Sequence, residues 1–426
     1  MANGGTVTLD DIIFLGSASQ YPSPRRALNA IVLRNSNGDN WLFDCGEGTQ
    51  TRMMESHAKP GKLKKIFISH LHGDHIYGLP GLMCSIGQAL GNTDKAELAA
   101  TEKKTLNSSK SSKSAKNSKS SEILNTSSPS SKKLKTTSEP LQESPDITLY
   151  GPVGLRRFVN TALNLSRAFL PYSYSVIELE PTHDQEEAAY NMTAAKADNM
   201  DDDECGCGAE SVKKLPTSTL DPKFIQKMND KRVLGPVPVH PSEILNANDT
   251  NTILKYDEVL GGYDLFADST QTRGFAVPIY HTIPSFGFLI QEPSKPGSID
   301  AKKLRQNGLK PGPLYSKIKS GEVVEFEGNT FRPQDYLSPD KPGNSFVFLG
   351  DCNGTDTAVR LINEQSAKNN KRFIVHESTL ENKLEEMAIM KGHSTPRMAS
   401  EFVKNVTKEA KNAVLVLDHF SQRYYR

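Results

Sequence analysis

The run Ser69-His70-Leu71-His72-Gly73-Asp74-His75 gathers imidazoles and a carboxylate into one short stretch. These are the ligands a catalytic zinc prefers, and such a site keeps a position open for water. His70 and His72 stand two residues apart, so an extended turn aims both imidazoles at one ion, while Asp74 and His75 are placed to face a second. The chemistry this points to is metal-assisted hydrolysis.

A two-metal centre needs more ligands than these, drawn from the ends of other strands. His281, Asp351 and His419 each follow an apolar run, at residues 276–280, 346–350 and 414–418. The recurrence of that placement in a chain of only ten histidines marks them as ligands rather than ordinary loop residues. Taken alone, the histidine motif leaves hydrolase, lactonase and nuclease activities open.

The surrounding sequence says what positions these groups. Ile66-Phe67-Ile68 leads straight into the cluster, and Leu79, Leu82, Met83, Ile86 and Leu90 follow at helical spacing, so the motif sits on a strand-to-helix loop. Residues 6–44 alternate apolar runs with turn signals and read as a β-meander. Further strands are expected at 275–279, 286–290, 346–349, 373–375 and 414–417, and helices at 155–163, 380–390 and 396–406. Strands grouped in both halves with helices interspersed predict an α+β fold, one sheet-on-sheet sandwich flanked by helices.

Composition sets the outer bounds. A chain of 426 residues, 36% hydrophobic, buries a substantial core. Its 51 basic residues nearly balance 50 acidic ones, so the net charge of +1 steers nothing and any polyanion must be held by local clusters. No apolar stretch approaches the roughly 18 residues of a membrane span. Met1 to Gly5 lacks the basic and apolar segments of a leader, and the five cysteines are scattered without a disulfide pattern. A cytoplasmic or nuclear protein is expected, with no membrane contact.

Two stretches depart from globular composition. Residues 93–145 are rich in Ser, Lys, Asn and Thr, with nine lysines between Lys103 and Lys135, and are expected to form a disordered basic insertion. Residues 184–212 are acidic and are expected to form a mobile loop; Cys205-Gly206-Cys207 within it lacks partner ligands at zinc-finger spacing.

Several motifs together resemble one family. They are Phe43-Asp44-Cys45-Gly46-Glu47-Gly48-Thr49-Gln50, the histidine run through Pro80-Gly81, Tyr150-Gly151-Pro152, His281-Thr282-Ile283-Pro284-Ser285-Phe286-Gly287-Phe288, Pro311-Gly312-Pro313-Leu314-Tyr315, Gly350-Asp351-Cys352, His376-Glu377-Ser378-Thr379, Gly392-His393-Ser394-Thr395-Pro396 and His419-Phe420-Ser421-Gln422-Arg423. The chain thereby resembles the short-form tRNase Z enzymes, ELAC-type zinc phosphodiesterases of the metallo-β-lactamase superfamily, over all but the two low-complexity insertions. The resemblance implies a single domain over residues 1–426, an αβ/βα four-layer sandwich with a protruding flexible arm at 295–325.

It also implies two Zn2+ ions, one held by His70, His72 and His281, the other by Asp74, His75 and His419, with Asp351 bridging them. Asp74 would orient the attacking water or take its proton, and Asp44 would orient ligand histidines. His393 would protonate the leaving ribose oxygen, with Glu377 holding its imidazole, while His376 is better read as a packed strand-end residue. Arg25 and Arg26, on the first loop, would approach the acceptor end of the substrate. The basic arm, with Lys302, Lys303, Lys310, Pro311, Gly312, Pro313, Tyr315, Lys317 and Lys319, would clamp the tRNA body through phosphate contacts.

The implied activity is removal of the 3′ trailer from precursor tRNA after the discriminator nucleotide, by a homodimer. The same metal site would also serve a zinc phosphodiesterase for other RNA 3′ ends or small phosphodiesters. A non-catalytic RNA-binding relative would have no need of the intact ligand set.

Overall fold

The computed structural model describes residues 9–87, 89, 145–198, 238–244, 253–368, 370–408, 410 and 412–424. The lysine-rich insertion at 93–144 and Cys205-Gly206-Cys207 lie outside the described residues.

Period-two alternation of large apolar side chains builds the centre. In β10 (Ser285–Gln291) and β13 (Ser345–Leu349), the residues Phe286, Phe288, Ile290, Phe346 and Phe348 turn to one face, while Leu289, Val347 and Leu349 turn to the other. A strand apolar on both faces must be covered on both, and two packed sheets do this.

The first sheet runs β1 (Leu9–Gly16), β2 (Ala30–Asn35), β3 (Asn40–Phe43), β4 (Leu63–Phe67), β5 (Ile147–Pro152), β6 (Tyr174–Leu179) and β7 (Ile253–Leu254) in sequential order. Its first pairings are antiparallel, and those from β3 to β7 are parallel. The second sheet has the order β15 (Asn412–Asp418), β14 (Lys371–Glu377), β13, β10, β9 (Arg273–Ile279), β8 (Tyr263–Ala267). Its β13, β14 and β15 are parallel and the rest antiparallel.

Between the sheets lies an aromatic core. Phe43 stacks on Phe67 with centroids 4.6 Å apart, Phe67 stacks on Tyr150 at 5.1 Å, and Phe288, Phe346 and Phe348 close over them from the second sheet. The outer face of the first sheet is covered by the helices Thr49–Glu55, 79–87 and Leu155–Leu165, and that of the second by Asp356–Gln365 and Pro396–Val406. Helix, sheet, sheet, helix is the expected four-layer sandwich.

Two expected boundaries change. The stretch 184–212 is not a loop throughout, because the helix His183–Asp198 occupies its first part. A reciprocal capping box opens it: the Gln185 amide donates to Thr182 Oγ1 at 3.3 Å, and the Thr182 amide donates to Gln185 Oε1 at 3.1 Å. Acidity obscures that signal, and the run from Glu186 to Ala197 is otherwise built of good helix formers. The buried Gln185 also donates through Nε2 to the Ser285 carbonyl at 2.6 Å, which fastens the helix to β10.

The stretch expected to form the arm, 295–325, lies within a longer unit that closes at 341. Backbone bridges Lys295–Lys341 and Ile299–Leu337 form its stem. It carries the helices Ala301–Gln306, Pro313–Lys319 and Pro333–Tyr336 and the hairpin β11 (Val324–Phe326) and β12 (Asn329–Phe331). Leu304, Leu309, Ile318, Val324, Phe331 and Tyr336 form a separate apolar cluster. Phe331 and Tyr336 supply part of that cluster, so a unit ending at 325 would leave it open. The expected helix at 380–390 is also shorter, a 3-10 turn Asn382–Leu384 followed by Glu385–Met390.

Candidate metal centre

The expected site residues gather at one rim of the sandwich, where His72, Asp74 and His75 lie on or cap the short helix Gly73–Ile76 and the others come from strand ends. His70 follows β4, His281 follows β9, Asp351 follows β13, Glu377 ends β14 and His419 follows β15. The two sheets are stitched at this rim by the Phe286 amide, which donates to the Ser69 carbonyl at 2.9 Å.

The side chains converge in two groups around one carboxylate. His70 Nε2 lies 3.0 Å from His72 Nδ1, which lies 3.2 Å from His281 Nε2. Asp351 Oδ2 faces this group at 3.8 Å from His70 and 3.7 Å from His281. In the other group, His75 Nε2 and His419 Nε2 are 3.3 Å apart, and Asp74 Oδ2 lies 3.5 Å and 3.4 Å from them. Asp351 Oδ1 faces this second group at 3.5 Å and 3.3 Å.

These distances suit a shared cation better than direct hydrogen bonds. Ligand atoms about 2.0–2.2 Å from a tetrahedral zinc sit roughly 3.3–3.6 Å from one another. Asp351 Oδ1 is buried with no hydrogen-bond partner, a costly arrangement that a cation would relieve. Donor chemistry and spacing therefore both fit a divalent metal.

Three of the histidines, His75, His281 and His419, are aimed by their second nitrogen. His75 Nδ1 donates to Asp44 Oδ2 at 2.6 Å, His281 Nδ1 to the Gly392 carbonyl at 2.6 Å, and His419 Nδ1 to Thr379 Oγ1 at 2.8 Å. With Nδ1 protonated, Nε2 presents its lone pair inward. Asp44 also accepts from the Ser69 amide at 2.7 Å and the Ser69 hydroxyl at 2.8 Å. Asp74 is oriented by the Gln20 amide, 2.7 Å from its Oδ2.

The backbone is strained where the site demands it. Asp44 and His419 have φ of 55° and 56°, a region that costs a branched or bulky residue energy and is held here by the surrounding bonds. Gly46 lets the Asp44 turn approach the metal loop, since a Cβ there would meet the Asp74 carbonyl at 2.3 Å.

Electrostatics divide the cluster. Burial and the neighbouring His75 push the His70 imidazole well below its ordinary value, and burial does the same to His281. At His75 burial is outweighed by Asp351, Asp44 and Asp74, which hold it well above the ordinary range; at His419 it is outweighed by Asp351 and Asp74. Conversely, burial would raise Asp74 and Asp351, yet the histidines hold both carboxyls below the usual range.

Beside the metal groups stands a second pair. His393 Nδ1 donates to Glu377 Oε1 at 3.0 Å and lies 3.8 Å from Asp351 Oδ2. Burial opposes Glu377 ionisation, but His393 outweighs it and holds the carboxyl below its ordinary value. His376 bonds the Glu377 carbonyl through Nδ1 at 2.7 Å and packs on Phe402, a strand-end position away from the ligand atoms.

The expected substrate residues are not part of this cluster. Arg25 and Arg26 line a cavity of about 290 Å³ together with Arg52 and Phe14, on the loop that Gln20 ties to Asp74; the Arg26 guanidinium lies 4.7 Å over the Phe420 ring. In the arm, Lys302, Lys303, Lys310, Pro311, Gly312, Pro313, Lys317 and Lys319 are exposed. Tyr315 is turned inward, and its hydroxyl donates to the Leu309 carbonyl at 2.8 Å. Thr379 and the Gly392 carbonyl are functional groups that residue types and spacing do not reveal. Thr379 was within reach because it closes the His376-Glu377-Ser378-Thr379 motif; a backbone acceptor leaves no mark in side-chain identity.

Comparison with known proteins adds independent findings. The sequence model of the Anti-Pycsar protein Apyc1 family matches residues 11–125. The human protein named zinc phosphodiesterase ELAC protein 1 is 36% identical over 417 residues, covering 97% of this chain and 87% of the relative. Its bovine counterpart is 34% identical over 420 residues, with the same coverage. A ribonuclease Z of Lactococcus lactis subsp. lactis is 30% identical over 416 residues, 97% of this chain and 90% of the relative. Among solved structures, human tRNase Z, short form, superposes with a TM-score of 0.52 at 29% identity, covering 98% of this chain and 95% of that one.

Proposed function

The chain belongs to the ELAC-type zinc phosphodiesterases, the short-form tRNase Z family, and from that membership we propose that it removes the 3′ trailer from precursor tRNA. Cleavage falls after the discriminator nucleotide and leaves a 3′-hydroxyl on the tRNA and a 5′-phosphate on the trailer. One arrangement supports this reading above others: a convergent His and Asp cluster has a buried imidazole–carboxylate pair, His393 and Glu377, directly beside it.

In this reading His70, His72 and His281 hold one zinc ion and Asp74, His75 and His419 a second, with Asp351 between them. Zinc bound there supplies Lewis-acid chemistry, lowering the pKa of water and offsetting charge on a phosphoryl oxygen. Asp74, with one oxygen already accepting from the Gln20 amide, is placed to orient the nucleophile or take its proton. The leaving ribose oxygen departs as a poor alkoxide, and His393, steadied by Glu377, delivers a proton to it. Ser69, Asp44, Thr379 and the Gly392 carbonyl keep the ligand nitrogens aimed.

Transfer RNA is held in part by the exposed lysines of the arm, whose phosphate contacts set register without reading sequence. The active form is a homodimer in which one subunit's arm serves its partner's site. The test is incubation of the purified protein with a 3′-extended tRNA, zinc and, separately, a chelator. Zinc-dependent release of the intact trailer is expected. Absence of cleavage with zinc restored overturns the reading, and hydrolysis of a small phosphodiester alone would move the substrate to that class.

A further inference from the structure

Thr379 sits where the metal ligands and the proton-donating pair meet. It lies two residues after Glu377, the end of β14, is buried, and its carbonyl accepts from the Ser421 amide at 3.2 Å, which ties it to the segment after β15. Its hydroxyl is within reach of three groups: Glu377 Oε2 at 2.6 Å, His419 Nδ1 at 2.8 Å and His393 Nδ1 at 3.3 Å.

A threonine hydroxyl has one proton to give and two lone pairs to receive with, so the roles can be assigned. His419 turns Nε2 toward Asp74, His75 and Asp351, where a bound cation would take its lone pair and leave the proton on Nδ1. That N–H donates to Thr379 Oγ1. The hydroxyl then gives its own proton to Glu377 Oε2, which also accepts from the Thr379 amide at 3.1 Å. The other carboxylate oxygen, Oε1, accepts from His393 Nδ1 at 3.0 Å and from the Cys352 amide at 2.9 Å. One unbroken chain results, from His419 through Thr379 and Glu377 to His393. Cys352 follows Asp351 directly, so the backbone of the bridging carboxylate is fastened to the same Glu377.

We propose that Thr379 is a positioning residue that couples metal holding to the leaving-group donor, fixing the His419 tautomer on one side and the Glu377–His393 pair on the other. This rests on the reading of the site as a zinc-dependent phosphodiesterase. Thr379 itself need not touch zinc or RNA. Its hydroxyl is the link in that chain that a methyl group replaces with the branched shape of the side chain kept, and serine, which keeps the hydroxyl but loses the methyl, separates its two effects from packing.

The test compares Thr379→Val with Thr379→Ser in the full chain. Zinc retention is measured by titration against a chromogenic chelator, without substrate. Then kcat and KM are measured on a 3′-extended tRNA at saturating zinc. Loss of an outer hydrogen-bond partner weakens metal affinity or activity about 10–100-fold. Thr379→Val is expected to lose that much in zinc retention and, with zinc saturating, also in kcat, at an unchanged KM; Thr379→Ser restores both. Loss of only one property, or of neither, overturns the coupling, as does failure of serine to restore them. Thermal melts of the zinc-free proteins identify a folding defect, and in that event Thr379→Ala takes the place of valine. A wild-type protein that retains zinc but does not cut tRNA would refute the functional reading; the zinc-retention comparison would still decide the His419 half of the chain.

Discussion

Substituting Asp44→Asn tests whether the site depends on the tautomer of a ligand histidine rather than on its mere presence. Asp44 is fully buried and accepts three hydrogen bonds, from the Ser69 amide at 2.7 Å, the Ser69 hydroxyl at 2.8 Å and His75 Nδ1 at 2.6 Å. Asparagine has almost the same shape but turns one acceptor oxygen into a donor. If its oxygen stays on the Ser69 amide, its NH2 faces the Ser69 hydroxyl, which can rotate to accept, and His75 Nδ1–H, which cannot while it carries a proton. His75 relieves the clash by moving that proton to Nε2, the atom that faces His419 and Asp351, where it blocks metal binding. A buried hydrogen bond to a charged group contributes about 1.5–3 kcal/mol. Expressed as affinity at 1.4 kcal/mol per tenfold, that is roughly 10–100-fold, in line with the usual effect of losing such a partner. Competition with a chromogenic chelator measures it directly. Ser69→Ala tests the same principle at His70, whose Nδ1 lies 3.0 Å from the Ser69 hydroxyl, and leaves His75 Nδ1 its acceptor; a loss of zinc affinity is expected there too. Zinc retention in Asp44→Asn within about threefold of wild type would refute the tautomer argument.

Three further outcomes follow from the same geometry. His393→Ala should keep its zinc, since His393 bonds Glu377 rather than completing either metal group, while kcat on precursor tRNA falls about 10²–10⁴-fold, measured by single-turnover cleavage at saturating enzyme. Glu377 has a depressed carboxyl, so the folded state binds fewer protons than the unfolded one below the ordinary carboxylate value; its contribution to stability is present above that value and fades as pH falls through the depressed one. Denaturant unfolding of the zinc-free protein should accordingly show a smaller loss of stability below about pH 4.3 in Glu377→Gln than in wild type. Replacing Lys317 and Lys319 with alanine should raise KM for tRNA, leave kcat and thermal stability unchanged because both side chains are exposed, and flatten the logarithmic salt dependence of binding by about 0.9 for each phosphate that is no longer neutralised.

Much of this protein is legible in its sequence because its chemistry obeys local rules. His70, His72, Asp74 and His75 sit in one run, and a strand end is visible before each of the distant ligands, so the ligand list required no coordinates. Alternation in β10 and β13 likewise announces strands covered on both faces. The helix His183–Asp198 escapes such a reading although its capping box is present, because an acidic composition outweighs a two-residue signal. The far end of the arm escapes it for a different reason: Phe331 and Tyr336 join a cluster with Leu304, and nothing in a linear pattern states which apolar residues share a core.

The linear order of residues holds the inventory: which side chains could hold a metal, which loops carry them and which family the motifs resemble. How each group is held depends on the packed fold. Two sheets had to pack before Asp351, from β13, could turn one oxygen toward His281 and the other toward His419, because those ligands come from different strands. The partners that set proton positions, Asp44 for His75, Gly392 for His281 and Thr379 for His419, stand 31, 111 and 40 residues away in the chain. Hydrogen bonds depend on distances of a few tenths of an ångström, and over such separations only the packed fold sets them.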